Sequence, residues 1–449
     1  MTDLKNLTPR QRDLLLRRLE KEGKGAARPE GDDRIPRQNV AEPPLSFAQE
    51  RLWFLDRLEP GSPLYTIPAA LEITGRLDVA ALAASLGEIV RRHEALRTTF
   101  APRPQGPVQI VHPAPALLAV PVVDLRGVPG SESVAQRMAT EEARRPFDLA
   151  RGPLLRALLL RLEDERHLAV LTVHHIVSDG WSMGVLVREI AALYPAAAPP
   201  LPALLVQYAD FAVWQRERLQ GGILGREIAF WREALDAAPA ALDLPTDRPR
   251  PAVQTFHGGQ APVRLGPEPL AALREAGRAA GCTLFMQILT AFAVLLGRWS
   301  GQEALLVGSP IAGRQRSEVQ GLIGCFVNTL ALRADLAGAP SLGELLERVR
   351  RTALAAFAHQ ELPFGRLVEE LHPQRDLSRS PLFQAMLVLQ RAEAETLALP
   401  GLELRSRDLD TGTAKFELTL QLAEGAGSVD GWIELNADLF ERATVERLV

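Results

Sequence analysis

Two adjacent histidines, His174 and His175, carry the side chains of this sequence that are best suited to chemistry near neutral pH. They end an apolar segment, and Ser178, Asp179 and Gly180 follow at once in the string VHHIVSDGWS. An imidazole at such a place can accept a proton, position a nucleophile or ligate a metal. Because only eight histidines occur in 449 residues, the pair at one strand-to-helix turn predicts a functional site.

The periodicity of a strand argues against a metal site at this pair. Successive side chains of a strand point to opposite faces, so the two imidazoles cannot both reach one ion. One ring should face the interior and the other the mouth of the strand. Ser178 or Asp179 can cap the helix that begins near Trp181, and Gly180 can adopt a positive φ that lets a substrate pass closely. We interpret Asp179 as a structural carboxylate held by Arg314 of the stretch SPIAGRQRSE.

Composition limits the classes of partner. The formal net charge is −4, with 51 basic and 55 acidic residues well mixed, which predicts neither a nucleic-acid nor a membrane partner. Two cysteines without a pairing rhythm and a charged N-terminus without a signal peptide favour a cytoplasmic protein, with no structural metal site. The most apolar run, Cys282–Gly297, is too short to span a bilayer and predicts a buried helix.

The pattern of elements predicts an α+β protein. Helical and strand-like segments are mixed without strict βαβ alternation, and the length favours two lobes of about 200 residues each. We interpret residues 1–38 as a helix and linker that could dock another protein, 39–220 as a lobe carrying the histidine pair, and 221–449 as a second lobe. The chain ends within a helical pattern, which predicts that the second lobe is truncated at its C-terminus.

The string HHIVSDG at 174–180 resembles the HHxxxDG signature of condensation domains of nonribosomal peptide synthetases. Six further stretches are similar to the other motifs of that family, in order: LSFAQERLWFL (45–55), RHEALRTTF (92–100), YADFAVWQ (208–215), IGCFVNTL (323–330), HQELPF (359–364) and RDLSRSPLF (375–383). Glu361, where aspartate is commoner, and Cys325, in a variable position, are the departures from the pattern.

The resemblance implies a fold and a reaction. The fold would be two chloramphenicol-acetyltransferase-like lobes in a V-shaped pseudo-dimer, with the active-site tunnel between them. In the reaction, the amine of an acceptor aminoacyl group attacks a donor acyl thioester, forming an amide and releasing a thiol. No cofactor would be bound directly, because both substrates would arrive on phosphopantetheine arms of carrier domains. Much of the acceleration would come from holding two reactants in line.

The resemblance also assigns residues. His175 would be the catalytic residue, as a general base or as a positioner of the amine. His174 would lie in the interior, Asp179 and Arg314 would form an ion pair between the lobes, and Gly180 would border the tunnel where a side chain would block it. Three further roles are implied: Arg97 in a structural ion pair, amides near Trp181 and Ser182 at the developing oxyanion, and Asn328 with Thr329 at a crossover from the second lobe.

The partners implied are a downstream aminoacyl carrier domain, an adenylation domain in the same chain, and an upstream carrier protein as donor. A starter domain would instead take a fatty acyl group from coenzyme A or an acyl carrier, and the absence of an upstream carrier domain leaves this alternative open. The stretches LRTTF and HHIVSDGWS are more similar to the condensation subtype that accepts L-configured donors than to the subtype that accepts D-configured donors. An epimerisation domain and a non-catalytic recruitment domain of the same fold are further alternatives. His174 argues against heterocyclisation, in which an aspartate stands at that place.

Overall fold

The computed structural model describes residues 34–115, 118–195, 199–236, 238–371, 376–391, 399, 401–425 and 427–448. Of the predicted helix and linker at residues 1–38, residues 1–33 lie outside these ranges. The helices are α1 Phe47–Leu58, α2 Val79–Arg92, α3 Ser131–Arg144, α4 Gly180–Leu193, α5 Tyr208–Arg218, α6 Gly221–Leu235, α7 Pro267–Ala280, α8 Leu284–Ser300, α9 Ser317–Gln320, α10 Leu342–Ala358, α11 Phe364–Leu371 and α12 Arg442–Glu446.

The strands alternate with the helices without a regular βαβ order. They are β1 Thr66–Gly75, β2 Thr98–Ala101, β3 Val108–Val111, β4 Val122–Asp124, β5 Leu155–Glu163, β6 Arg166–His174, β7 Gly258–Leu265, β8 Ala304–Ile311, β9 Asn328–Asp335, β10 Ala385–Arg391, β11 Leu402–Arg407, β12 Leu418–Glu424 and β13 Val429–Asn436. The α+β class predicted from the sequence is confirmed.

The first large sheet has the order β11-β1-β6-β5-β4. Strands β5 and β6 form an antiparallel hairpin, joined at a charged turn. Helix α3 covers one face, because its small buried residues Ala135 and Ala139 let it approach Leu160 and Val170 closely. This packing holds β6 rigidly, so that the histidines at its end have a defined position.

The second large sheet has the order β7-β13-β12-β10-β8-β9 and is mixed parallel and antiparallel. Helix α8 packs on it with Phe292 and Leu296 fully buried, and it accounts for the apolar run near 282–297. Trp231 and Leu235 of α6 belong to the same core. These residues follow the predicted lobe boundary near residue 220, which stays a prediction.

Strand β11 connects the two halves of the chain. It follows β10 of the second sheet in sequence, yet it pairs antiparallel with β1 at the edge of the first sheet, with Ile73 opposite Leu404.

Among the residues that the structure describes, no single helix is long and apolar enough to span a membrane. Helices α7 and α8 together reach the length and apolar composition of a membrane span, but the pair is bent by 105°.

A tight contact joins α5 to the loop before β9. The hydroxyl of Tyr208 donates to the Cys325 carbonyl at 2.5 Å and lies 2.7 Å from the Ser46 hydroxyl. A Cβ atom on Gly324 would lie only 2.0 Å from the Tyr208 ring. Glycine is therefore required at 324 by the close approach of an aromatic ring.

The first prediction concerns this contact. Gly324→Ala should lower the free energy of unfolding by about 1–3 kcal/mol, because the added methyl group has no space beside the ring. Gly321→Ala is the matched control, since a Cβ at Gly321 meets nothing within 4 Å. Urea unfolding of both variants measures the difference. Equal midpoints for the two variants would contradict the steric argument.

Candidate functional site

His174 is the last residue of β6, and its imidazole packs inside the first half of the chain. It is buried, with 4% of its surface exposed. Its Nδ1 accepts a hydrogen bond from the Ile176 amide at 3.1 Å, and its ring meets Phe147 edge-on at a centroid distance of 5.8 Å. The side chain thus stabilises the 3-10 turn His175–Val177 that follows the strand.

His175 faces the opposite way and lines a cavity of about 450 Å³. Helix α1 stabilises the turn that carries His175, since the Gln49 side chain donates a hydrogen bond to the Ile176 carbonyl at 3.3 Å. Nδ1 of His175 lies 3.8 Å from the Cys325 sulfur, and backbone groups of His175 and Ser178 also support the ring. Within the described part of the chain, Nε2 makes no hydrogen bond, so it is the nitrogen that a substrate in the cavity would meet.

The surroundings keep both imidazoles neutral. Burial, together with smaller effects of the charges of His175 and Lys415, lowers the pKa of His174 to about 3. For His175, burial and the Lys415 ammonium lower the pKa to about 4, while the Asp179 carboxylate acts in the opposite direction. At neutral pH, therefore, His175 presents a hydrogen-bond acceptor to the cavity.

Asp179 is a fully bonded carboxylate and not a cavity group. It is the N-cap of α4, where Oδ1 accepts hydrogen bonds from the Ser182 amide at 2.8 Å and from Arg314 Nη2 at 3.1 Å. Oδ2 accepts from the Phe326 amide at 2.9 Å. The carboxylate therefore ties the end of the histidine turn to two segments of the second half of the chain.

Arg314 is buried at this junction. Its Nη1 donates to the carbonyls of Val319 and Leu322, both at 2.6 Å, and its guanidinium stacks on Phe326 with the Cζ atom 4.1 Å from the ring centroid. Removing one partner of such a pair leaves a charge in a site without water, which is costly. The pair thus fixes the relative positions of α4 and the 314–326 segment.

Two backbone amides at the start of α4 already have hydrogen-bond partners within the chain. The Ser182 amide is already bonded to Asp179, and the Met183 amide to the Asp179 carbonyl. The Trp181 side chain turns outward, with its Nε1 donating to the Gln320 carbonyl at 2.8 Å. The Ser182 amide is therefore not free for the predicted oxyanion role, because the N-cap occupies it. For the Trp181 amide the role stays a prediction.

Gly180 does not line the cavity that contains His175. Its φ lies outside the left-handed region, and a Cβ there would meet Gln390 Nε2 at an ordinary distance of 3.6 Å. The expectation that a side chain at 180 would block the passage is not supported, because this residue simply begins helix α4.

Asn328 organises a loop. Its side-chain amide donates to the carbonyls of Gln360 and Leu362, and its oxygen accepts from the Phe364 amide at 2.9 Å. Thr329 lines the cavity beside it. The strand that crosses from the second half to the first sheet is β11, so Asn328 positions the 360–364 segment rather than the crossover.

Arg97 lies away from the cavity. Its guanidinium is 3.6 Å from Glu94 and donates to the His112 carbonyl. Among the described residues, no group of three or more His, Cys, Asp or Glu side chains has an arrangement that could hold a metal ion.

Sequence reasoning missed the charged wall of the cavity. Lys415 and Glu434 line it together with Tyr65, Arg51 and Thr419. One signal was available: Lys415 is the single lysine after residue 24, and every other cationic side chain in that part of the sequence, apart from histidine, is arginine.

The second prediction tests the Asp179 junction. Asp179→Asn should lower the free energy of unfolding by about 3–5 kcal/mol, because the Arg314 charge stays buried without its counter-ion. Asp124→Asn is the control, since Asp124 and Arg126 form a pair of the same types at the surface, where loss of the pair should have little effect. Chemical denaturation measures both. Near-wild-type stability of Asp179→Asn would contradict a structural role.

The third prediction concerns acid. Both histidines titrate near pH 6.5 in the unfolded chain but at about 3 and about 4 in the fold. Below pH 6.5 the unfolded chain binds more protons than the folded protein does. The free energy of unfolding therefore decreases as the pH is lowered, by about 1.4 kcal/mol per pH unit for each histidine, until the pH reaches the folded pKa values. His174→Asn keeps an acceptor without titrating and should show a shallower loss in urea unfolding between about pH 6.5 and 4.5. Equal slopes would contradict the assignment.

Comparison with known proteins identifies the family of this chain. The model of the family described as "Condensation domain" matches residues 39–449. The chain is 48% identical over 422 residues to a linear gramicidin synthase of Brevibacillus parabrevis, covering 92% of this chain and 8% of that protein. It is 45% identical over 464 residues to phosphinothricin tripeptide synthetase PhsC of Streptomyces viridochromogenes, covering 100% of this chain and 42% of that protein. The chain thus spans less than half of either relative.

Solved structures share the fold. The X-domain in its complex with OxyB from teicoplanin biosynthesis has a TM-score of 0.83 and 30% identity, with 93% of each chain covered. The first condensation domain of the CDA synthetase has a TM-score of 0.77 and 23% identity, with 91% of this chain and 95% of that chain covered. From the family match, the identities and the shared fold, the chain belongs to the condensation-domain family of nonribosomal peptide synthetases.

Proposed function

We propose that this domain forms an amide bond between a donor acyl thioester and the amine of an acceptor aminoacyl thioester. The observation that carries the proposal is the open Nε2 of a neutral His175, which faces a cavity lined by residues of both halves of the chain. Phe47 and Phe211 come from the first half, and Met386 and Thr419 from the second. Two reactants can therefore meet beside one acceptor nitrogen.

The chemistry requires no bound cofactor. The acceptor amine adds to the thioester carbonyl, forming a C–N bond while the carbonyl electron pair moves to oxygen. The tetrahedral intermediate then expels the donor thiolate, and the proton lost by the amine nitrogen ends on that sulfur. The products are an amide and a free thiol.

We assign His175 to positioning the amine. A base works best when its pKa is near the working pH, and burial places that of His175 well below this point. Its Nε2 therefore accepts a hydrogen bond from the attacking amine and aims the nitrogen lone pair at the carbonyl. Orientation of this kind supplies a large part of the acceleration in reactions between two bound substrates.

We propose carrier domains as the partners on both sides, with an adenylation domain in the same synthetase, in the biosynthesis of a peptide natural product. The relatives that are 45–49% identical are peptide synthetases, which favours an aminoacyl or peptidyl donor over a fatty acyl starter. A panel of hexanoyl- and octanoyl-coenzyme A against aminoacyl carrier donors, read by intact-protein mass spectrometry, distinguishes the two donor classes.

A recruitment domain without catalytic activity is the second candidate. It is favoured by the likeness to the teicoplanin X-domain, at a TM-score of 0.83. The complete HHxxxDG string and the open His175 nitrogen favour catalysis instead. The two candidates differ in one outcome, since a recruitment domain forms no amide from any donor and acceptor pair.

The fourth prediction is that His175→Ala lowers the single-turnover rate of amide formation by at least about 10²-fold, because the amine loses its acceptor. Binding of the loaded carriers should not change. His257→Ala is the matched control, since that imidazole is exposed at the surface and pairs with Asp438. Full amide formation by His175→Ala would overturn the assignment of this residue.

A further inference from the structure

Lys415 brings a cation to the reaction centre from the loop before β12. Its Nζ lies 5.1 Å from the centroid of the Tyr65 ring. Tyr65 directly precedes Thr66, which pairs with His174 across β1 and β6. The ammonium therefore lies near the paired ends of β1 and β6, where His174 ends β6 and His175 begins the following turn.

The N–H groups of the Lys415 ammonium are available to a ligand in the cavity. Among the residues that the structure describes, none accepts a hydrogen bond from Nζ, and no carboxylate lies within 4.0 Å of it. Glu434 balances its charge from β13, where the carboxylate accepts a hydrogen bond from the Lys415 backbone amide at 3.4 Å. Both side chains line the cavity that contains His175.

Three arginines also line the cavity, and their contacts differ from those of Lys415. Arg218 pairs with Glu361 at 3.0 Å, and Arg316 stacks on Trp214. Arg51 stacks on Phe364, with 5.0 Å from its Cζ atom to the ring centroid. Of these four basic groups, the charge of Lys415 is the one that lowers the pKa of both His174 and His175, which agrees with its place beside them.

The reaction needs such a donor. When the amine adds to the thioester, a full negative charge develops on the carbonyl oxygen, and donors aimed at that oxygen are a large source of acceleration. The Ser182 amide at the start of α4 cannot serve, because Asp179 occupies it.

We propose that the Lys415 ammonium donates a charge-assisted hydrogen bond to the oxyanion of the tetrahedral intermediate. This inference rests on the amide-forming function proposed above. Lys415 takes no part in the covalent steps, and its three N–H groups and compact charge suit an oxygen whose direction changes as the carbonyl becomes tetrahedral. Before substrate enters, the negative charge of Glu434 compensates the positive charge of Lys415 in the cavity.

The fifth prediction follows from this assignment. Lys415→Met should lower the single-turnover rate by about 10²-fold or more, with unchanged affinity for the loaded donor carrier. Lys415→Arg should recover part of the loss, because it keeps the charge but not the compact shape. Lys415→Gln provides a second neutral variant if Lys415→Met fails to fold, which circular dichroism and thermal unfolding report.

Ligand binding separates an oxyanion contact from a structural role. A phosphonamidate that joins donor and acceptor is tetrahedral and anionic, whereas the corresponding amide is planar and neutral. Lys415→Met should weaken phosphonamidate binding at least about tenfold more than amide binding. Equal weakening of both ligands, or a rate within threefold of wild type, would overturn the proposal. Failure of the wild-type domain to form any amide would instead refute the proposed function.

Discussion

The geometry of the site depends on one buried carboxylate. Asp179 caps α4 through the Ser182 amide, pairs with Arg314 and accepts the Phe326 amide, so three segments meet at two oxygen atoms. Because Arg314 also holds the carbonyls of Val319 and Leu322, the position of His175 relative to the second half of the chain is set by this junction. The aspartate of the HHxxxDG motif thus acts through structure.

Electrostatics then decide what His175 can do. Its ring lies among apolar groups and near the Lys415 ammonium, and both conditions disfavour the imidazolium form. A neutral ring with one nitrogen supported by the turn and the other open is suited to orienting an amine. The same cation that keeps the imidazole neutral is placed where negative charge would develop on a thioester oxygen, so one lysine can influence both partners of the reaction.

The start of α4 shows how one function of a motif can exclude another. The free amides of a helix N-terminus are a common place for an oxyanion. Here the aspartate of the motif takes the Ser182 amide, and the Ser182 hydroxyl lies 2.7 Å from the same oxygen. This amide is therefore occupied before any substrate arrives, whereas the charged wall near β12 and β13 lines the cavity that contains His175.

Much of this molecule could be predicted from the sequence because the determining patterns are local. The α+β class, the β5–β6 hairpin, the buried helix near 282–297 and the opposed orientations of His174 and His175 follow from hydrophobic periodicity and the alternation of a strand. The occupation of the Ser182 amide is local as well, since Asp179 lies three residues before it and the sequence predicts a cap there. Tertiary structure alone decided that β11 joins the first sheet and that Lys415 lines the same cavity as His175. These relations join residues more than 200 positions apart, and no local pattern encodes a distance of that kind.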